Sequence, residues 1–237
     1  MGGLEARLVV IELPLLRDRN APIKILCLGA HSDDIEIGCG GTILRLTASY
    51  PAASVCWIVL SSDGDARKDE AITGANVFLE QAAAKRVVVK QFRESFFPYA
   101  GEQIKEYFEE LKSGPDPDVI FTHYRNDLHQ DHKLVSDLTW NTFRRSLILE
   151  YEIPKWDGDL GVPNFFVEVD RDRARRKVDL LHEHFPSQRS RDWFDEETFF
   201  SLMRIRGMEC RSRSRLAEAF YARKLLFDPR PAKEPCS

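Results

Sequence analysis

Ile23-Lys24-Ile25-Leu26-Cys27-Leu28-Gly29, followed at once by Ala30-His31-Ser32-Asp33-Asp34-Ile35-Glu36, is the stretch on which this chain turns. Its first half is an apolar run of the length and composition of a buried strand. Its second half crowds one histidine and three carboxylates into six residues. The pattern returns later: Val119-Ile120-Phe121 ends in Thr122-His123, and Asp127-Leu128-His129-Gln130-Asp131-His132 follows. In open α/β sheets, ligands bind outside the carboxyl ends of the strands. Two clusters just past two strands therefore open onto one crevice, where His31, Asp34 and His132 make a three-ligand metal site.

Three N/O ligands with one position left for water or substrate is the arrangement of catalytic zinc. Imidazole and carboxylate also accept iron, so Fe2+ is an alternative occupant to Zn2+. Asp33 is the spare carboxylate, placed to take a proton from water. His129, three residues before His132, faces the same pocket as an acid or oxyanion stabiliser. Simpler explanations compete: an Asp-Asp pair ahead of a helix can be a cap, and His-x-x-His is common on solvated helices. Neither explains why four of the six histidines (His31, His123, His129, His132) follow strand-like runs. His123 is expected to face the mouth with Arg125 and Asp127. Arg67, following Ser61-Ser62-Asp63-Gly64-Asp65-Ala66, is expected either to contact substrate or to be an ordinary helix-surface charge.

Outward from these clusters, strand and helix patterns alternate. Strands are expected over 23–29, 54–60, 86–92, 118–122, 149–153 and 164–169. Helices are expected over 38–49, 67–84, 102–112, 132–145, 171–184 and 196–206. This βαβα order argues a mostly parallel sheet. Gly38-Cys39-Gly40-Gly41-Thr42 has the look of a phosphate cradle but lacks the P-loop lysine and the G-x-G-x-x-G spacing. It reads better as close packing under the ligand loop. The arginines at 204, 206, 211, 213 and 215 read as a polar face, with attraction of a substrate phosphate as the alternative.

Residues 29–42 resemble the signature of the PIG-L/LmbE-like N-deacetylases, Ala-His-Pro-Asp-Asp-x-Glu followed by a glycine-rich helix start. His129-Gln130-Asp131-His132 resembles that family's His-x-Asp-His motif. Weaker similarities are a lysine-led helix ending in Ser-Gln (Lys177 to Ser187-Gln188) and Ala217-Glu218-Ala219-Phe220. The resemblance spans 23–226. Ser32 stands where the family has proline, which removes a backbone restraint but no ligand. The resemblance implies a Rossmann-like three-layer α/β sandwich with its metal site at the C-terminal ends of the strands. It implies His31, Asp34 and His132 as ligands, Asp33 as base, and His129 as the histidine that stabilises the oxyanion or protonates the amine. Asp131 becomes the carboxylate that orients this histidine, Glu36 a support for the loop, and Arg67 a substrate contact. The reaction implied is hydrolysis of an acetamido group on an amino sugar, free or nucleotide- or lipid-linked.

Composition bounds the rest. A chain of 237 residues holds one substantial core. We expect an N-terminal extension over 1–20, one domain over 21–227 and a frayed tail over 228–237. With 34 basic and 38 acidic residues, a generic nucleic-acid binder is disfavoured. No run approaches the ~20 apolar residues of a membrane span. Residues 8–16 are too short and interrupted for one, lack a basic leader, and suit packing on the domain or on a partner in a homo-oligomer. Five cysteines without a Cys-x-x-Cys pair favour the cytoplasm. Two rivals to a deacetylase are a metal phosphoesterase and a non-catalytic sugar-nucleotide or anion-binding module built on the glycine-rich turn.

Overall fold

The computed structural model describes residues 20–226. The expected tail over 228–237, and all of the expected extension but Asn20, lie outside the described residues. The strands are β1 (Ile23–Gly29), β2 (Ala53–Val59), β3 (Ala84–Val89), β4 (Val119–His123), β5 (Leu147–Tyr151), β6 (Phe165–Glu168) and β7 (Ala217–Tyr221). The helices are α1 (Asp34–Ser49), α2 (Gly64–Phe78), α3 (Gly101–Lys112), α4 (Gln130–Thr142), α5 (Arg171–His184) and α6 (Glu196–Glu209). One sheet runs in the order β3-β2-β1-β4-β5-β7-β6. Its first five strands pair in parallel, and β7 is antiparallel to both neighbours.

The central strands read as near-continuous apolar runs because helices cover both faces. Along β1, Ile25 and Cys27 face a core shared with α1, α2, α5 and α6, while Leu26 and Leu28 face a second core under α3 and α4. Helix α3 shows how sequence spacing fixes this. Ile104, Tyr107 and Phe108 are buried at helical intervals and press onto the second core. The result is the three-layer α/β sandwich. Parallel pairing aligns the carboxyl ends of β1, β2, β4 and β5 along one edge, which gathers the loops that follow them.

The bounds of β3, β5, α4 and α6 shift by two or three residues, and three other elements differ more from expectation. Helix α1 starts at Asp34, so the glycine-rich turn lies inside it, at a kink where Cys39 leaves helical geometry (φ −144°, ψ 15°). Gly38 is required there because a Cβ would sit 2.2 Å from a ring carbon of Tyr151. Helix α2 runs 64–78 rather than 67–84, since the chain must turn into β3 at Ala84. Strand β7 had no strand signal beyond its family motif; five residues buried on both faces carry no alternation to read.

Candidate metal centre

The end of β1 delivers the first cluster. After Gly29 the chain turns, and the His31 N–H donates to Asp34 Oδ2 (2.6 Å), which closes the loop at the start of α1. The end of β4 delivers the second. Asp127 Oδ1 accepts the His129 N–H (2.8 Å), and His129 caps α4 by accepting the Asp131 N–H at Nδ1 (3.2 Å). The two loops meet. His31 Nδ1 lies 3.1 Å from His132 Nε2. Asp34 reaches both, Oδ2 at 3.3 Å from His31 Nδ1 and Oδ1 at 3.4 Å from His132 Nε2. All three side chains are buried.

Carboxylates stand behind both imidazoles. Asp131 Oδ2 is 3.1 Å from His31 Nε2, and Asp127 Oδ2 is 2.9 Å from His132 Nδ1. A carboxylate accepts, so each outward nitrogen carries the hydrogen and each inward nitrogen presents a lone pair. At 3.1 Å, beside the Asp34 carboxylate, the two inward nitrogens share a proton in the metal-free protein and could instead share a metal ion. The titration behaviour agrees. Burial opposes charge on His31, but Asp34 and Asp131 outweigh it and push its pKa up to about 10. Burial likewise opposes charge on His132, and Asp34 with Asp127 raises it. The pocket demands positive charge, supplied by a proton or by a metal ion, so the donor set fits a divalent metal. Among the described residues, two overlapping groups bring their ligand atoms close enough to hold an ion, His31/His129/His132 and Asp34/His123/His132; neither is the expected trio, but between them they contain His31, Asp34 and His132. They share His132 and so describe one centre.

Asp33 sits at the N-cap position of α1 yet makes no capping bond, so capping does not account for it. Its Oδ1 accepts from Arg67 Nη2 (3.1 Å), and its buried Oδ2 has no partner. Burial raises its pKa, against the pull of Arg67. Burial and the neighbouring His132 and His31 lower the pKa of His129. Its ring, stacked on that of His132 at 4.5 Å, is therefore neutral. Because Nδ1 accepts a backbone N–H, the ring hydrogen is on Nε2, which makes that atom a donor.

Other residues stand differently from expectation. Asp131 does not orient the His129 ring; its carboxylate holds His31 and is itself fixed by the Ser95 N–H (2.6 Å) and the Phe97 N–H (3.1 Å). His123 does not face the mouth. It is wholly buried, stacked 3.9 Å beneath His132, with Nε2 accepting the Ala30 N–H (2.9 Å). Burial, aided by His132, lowers its pKa to about 4, so it forms a neutral floor. Arg67 is no free surface charge. Besides Asp33 it binds Glu70 (2.9 Å) and Ser187 Oγ (3.0 Å). Glu36 is fully buried, its carboxyl pushed well above the usual range by burial. It lies against Gly74, where a Cβ would come within 3.1 Å of Oε1.

The glycine-rich turn already holds an anion of its own. Glu218 on β7 accepts the N–H groups of Gly41 (2.8 Å) and Thr42 (2.6 Å), and Lys177 on α5 neutralises it (2.6 Å). Arg206 is likewise internal, donating from Nε and Nη2 to Glu152 (2.9 and 2.7 Å). Two partners had little or no sequence signal. Asp127, placed only near the pocket, holds His132. Lys155 reaches Asp127 Oδ2 at 3.1 Å from a loop with no readable motif.

Fold and site define a class: a three-layer α/β protein with a candidate His/Asp metal centre at the carboxyl ends of parallel strands. Residues 26–143 match the family model described as PIG-L, GlcNAc-PI de-N-acetylase, and the chain belongs to this family. It is 29% identical over 185 residues to the Escherichia coli K12 protein named uncharacterized deacetylase YaiS, covering 74% of this chain and 97% of YaiS. Its fold is similar to that of N,N'-diacetylchitobiose deacetylase from Pyrococcus horikoshii (TM-score 0.63, 20% identity, 84% of this chain and 83% of that one). It is also similar to GalB, the 4-carboxy-2-hydroxymuconate hydratase of Pseudomonas putida KT2440 (TM-score 0.64, 14% identity, 89% and 100%). At these identities the structural likeness speaks to the fold alone, and a hydratase shares it.

Proposed function

We propose that this chain is a zinc-dependent N-deacetylase that hydrolyses the acetamido group of an amino sugar, free or in nucleotide- or lipid-linked form, to acetate and a free amine. The observation that carries this is the pair of carboxylate-backed imidazoles. They converge with Asp34 on one point, beside an Asp33 oxygen that has no partner. His31, Asp34 and His132 hold the ion. When bound, it supplies Lewis-acid polarisation of the amide carbonyl and lowers the pKa of water. Asp33 takes the water proton at Oδ2 while Arg67 pins Oδ1. The Nε2–H of His129 donates to the negative charge that develops on the carbonyl oxygen. The proton held by Asp33 then leaves with the amine. Family membership supports the reaction class. The cysteine usage supports a cytoplasmic setting. No helix among the described residues is long and apolar enough to cross a membrane.

The rival readings fare less well. An anion-binding module on the glycine-rich turn competes with Glu218 for the same N–H groups. A two-metal phosphoesterase needs a second ligand set, and the candidate groups share His132. The test is acetate release from a panel of acetamido sugars, with chelator and zinc add-back. Zinc-restored acetate release supports the reading; release that persists in the stripped protein, or no release across the panel, overturns it.

A further inference from the structure

The two metal-facing imidazoles are both backed by carboxylates, but not equally. Behind His31, Asp131 is compensated by neutral donors, the Ser95 and Phe97 N–H groups. Behind His132, Asp127 meets a full positive charge. Its Oδ2 lies 2.9 Å from His132 Nδ1 and 3.1 Å from Lys155 Nζ, so imidazole and ammonium share one oxygen. Its Oδ1 is engaged separately by the His129 N–H (2.8 Å). Lys155 comes from the loop after β5, and its side chain is only 8% exposed. The same amine pairs with Asp159, whose Oδ2 accepts the Leu128 N–H (2.8 Å). The loop does not hang on this amine alone. Trp156 Nε1 ties it to Asp192 (2.7 Å), and Asp159 has its bond to Leu128.

A carboxylate behind a metal-binding imidazole makes the ring a stronger donor. A cation on the same carboxylate oxygen draws that charge away, and burial keeps salt from screening it. We propose that Lys155 is a positioning residue that lowers the zinc affinity of the centre: through Asp127 it weakens the hold of His132, while the His31 side keeps its full carboxylate. A weaker donor leaves a bound ion more electron-poor, which suits polarisation of a carbonyl. This rests on the reading of His31, Asp34 and His132 as zinc ligands and not on the substrate assigned to them. Asp127, Lys155 and Asp159 together carry one net negative charge. Lys155→Met leaves two carboxylates facing each other. Lys155→Met with Asp159→Asn restores the single negative charge but places it on Asp127 alone, against His132. A lysine that merely clamped the loop would act in the opposite sense, because its loss would loosen Asp127 and weaken zinc binding. The sign of the change separates the two roles.

The test needs no turnover. Zinc affinity of the full chain is measured by competition with a chromophoric chelator for wild type, Lys155→Arg, Lys155→Met and the Lys155→Met/Asp159→Asn pair. A carboxylate behind a ligand histidine is worth about 10- to 100-fold, and freeing one from its cation should recover the lower end, ~10-fold tighter zinc in the paired variant. Lys155→Met should bind at least as tightly. Should the two facing carboxylates keep that single variant from folding, the paired variant, which lacks them, carries the test. Lys155→Arg keeps the charge and should stay near wild type. Because the effect runs through Asp127, Lys155→Met should change zinc affinity far less in an Asp127→Asn background. Unchanged or weaker zinc binding in the paired variant, with wild type binding one zinc per chain, overturns the proposal and leaves the ligand reading standing. Lys155→Arg tightening zinc as much as Lys155→Met also overturns it, since charge would then not be the cause. Wild type that binds no zinc overturns the ligand reading, and the proposal falls with it.

Discussion

Asp131→Asn separates two roles for one carboxylate. If Asp131 orients His129, the variant keeps its metal and loses kcat. In the structure the Asp131 carboxylate receives three donors: His31 Nε2 and the Ser95 N–H at Oδ2, and the Phe97 N–H at Oδ1. It is completely buried. Asparagine offers one oxygen where the site has donors on both sides. With its NH2 towards His31, the imidazole must carry its hydrogen on Nδ1, and the inward lone pair that would bind metal is gone. With its NH2 towards Phe97, a backbone donor is left facing a donor. A buried unsatisfied donor costs about 1–3 kcal/mol, roughly 5- to 160-fold in an equilibrium constant. Carboxylates behind metal-binding histidines are worth about 10- to 100-fold in affinity or activity. We expect zinc affinity, measured by competition with a chromophoric chelator, to fall within that span. Thermal melting of the metal-free protein, run in parallel, reports any cost transferred to the 95–97 turn. Zinc affinity within twofold of wild type, together with a kcat loss of 100-fold or more, would refute the assignment of Asp131 to His31.

Replacing His132 by alanine removes an inward imidazole and should strip the metal; full metal content by elemental analysis at matched protein concentration contradicts the ligand set. Asp33→Ala should keep the metal and lose about 10²- to 10⁴-fold in turnover. Because burial raises the Asp33 pKa against the pull of Arg67, the acidic limb of kcat/KM should lie above the ordinary carboxylate range, and a limb within that range argues against this base. His129→Ala should lower kcat about 10²- to 10³-fold, with KM and metal content little changed; normal kcat with raised KM would make His129 a binding residue. His31 is protonated below about pH 10 in the metal-free protein, so zinc binding at pH 8 should release a proton. Calorimetry in two buffers of different ionisation enthalpy reads this release, and identical heats deny it.

Much of the fold was legible because its signals are local. Buried parallel strands are short apolar runs, and β1 was bounded to the residue because Ile23 opens it and Gly29 closes it. Helix α5 was bounded equally well, since Asp170 caps it by accepting the Arg173 N–H. The illegible parts are those decided by distant partners. Strand β7 exists because β5 and β6 both pair with it, and nothing within 217–221 alternates. The kink at Cys39 needs Tyr151 against Gly38 and Glu218 on the N–H groups beyond, more than 100 residues away in sequence.

The site divides along the same line. Which side chains converge could be read from two ligand clusters behind two strands, because the sheet brings any two strand ends together. Which carboxylate serves which imidazole could not, because it depends on ring rotation. Asp131 is two residues from His129 and one hundred from His31, and sequence distance favours the wrong partner. In the helix that begins at Gln130, however, residue 131 lies in the first turn and points back across the crevice. There the Ser95 and Phe97 N–H groups fix it against His31. His129 precedes that helix and turns its Nδ1 to the Asp131 backbone instead. The same capping geometry that takes the carboxylate away from His129 leaves its Nε2–H free to donate, so one local feature of the helix start assigns both residues.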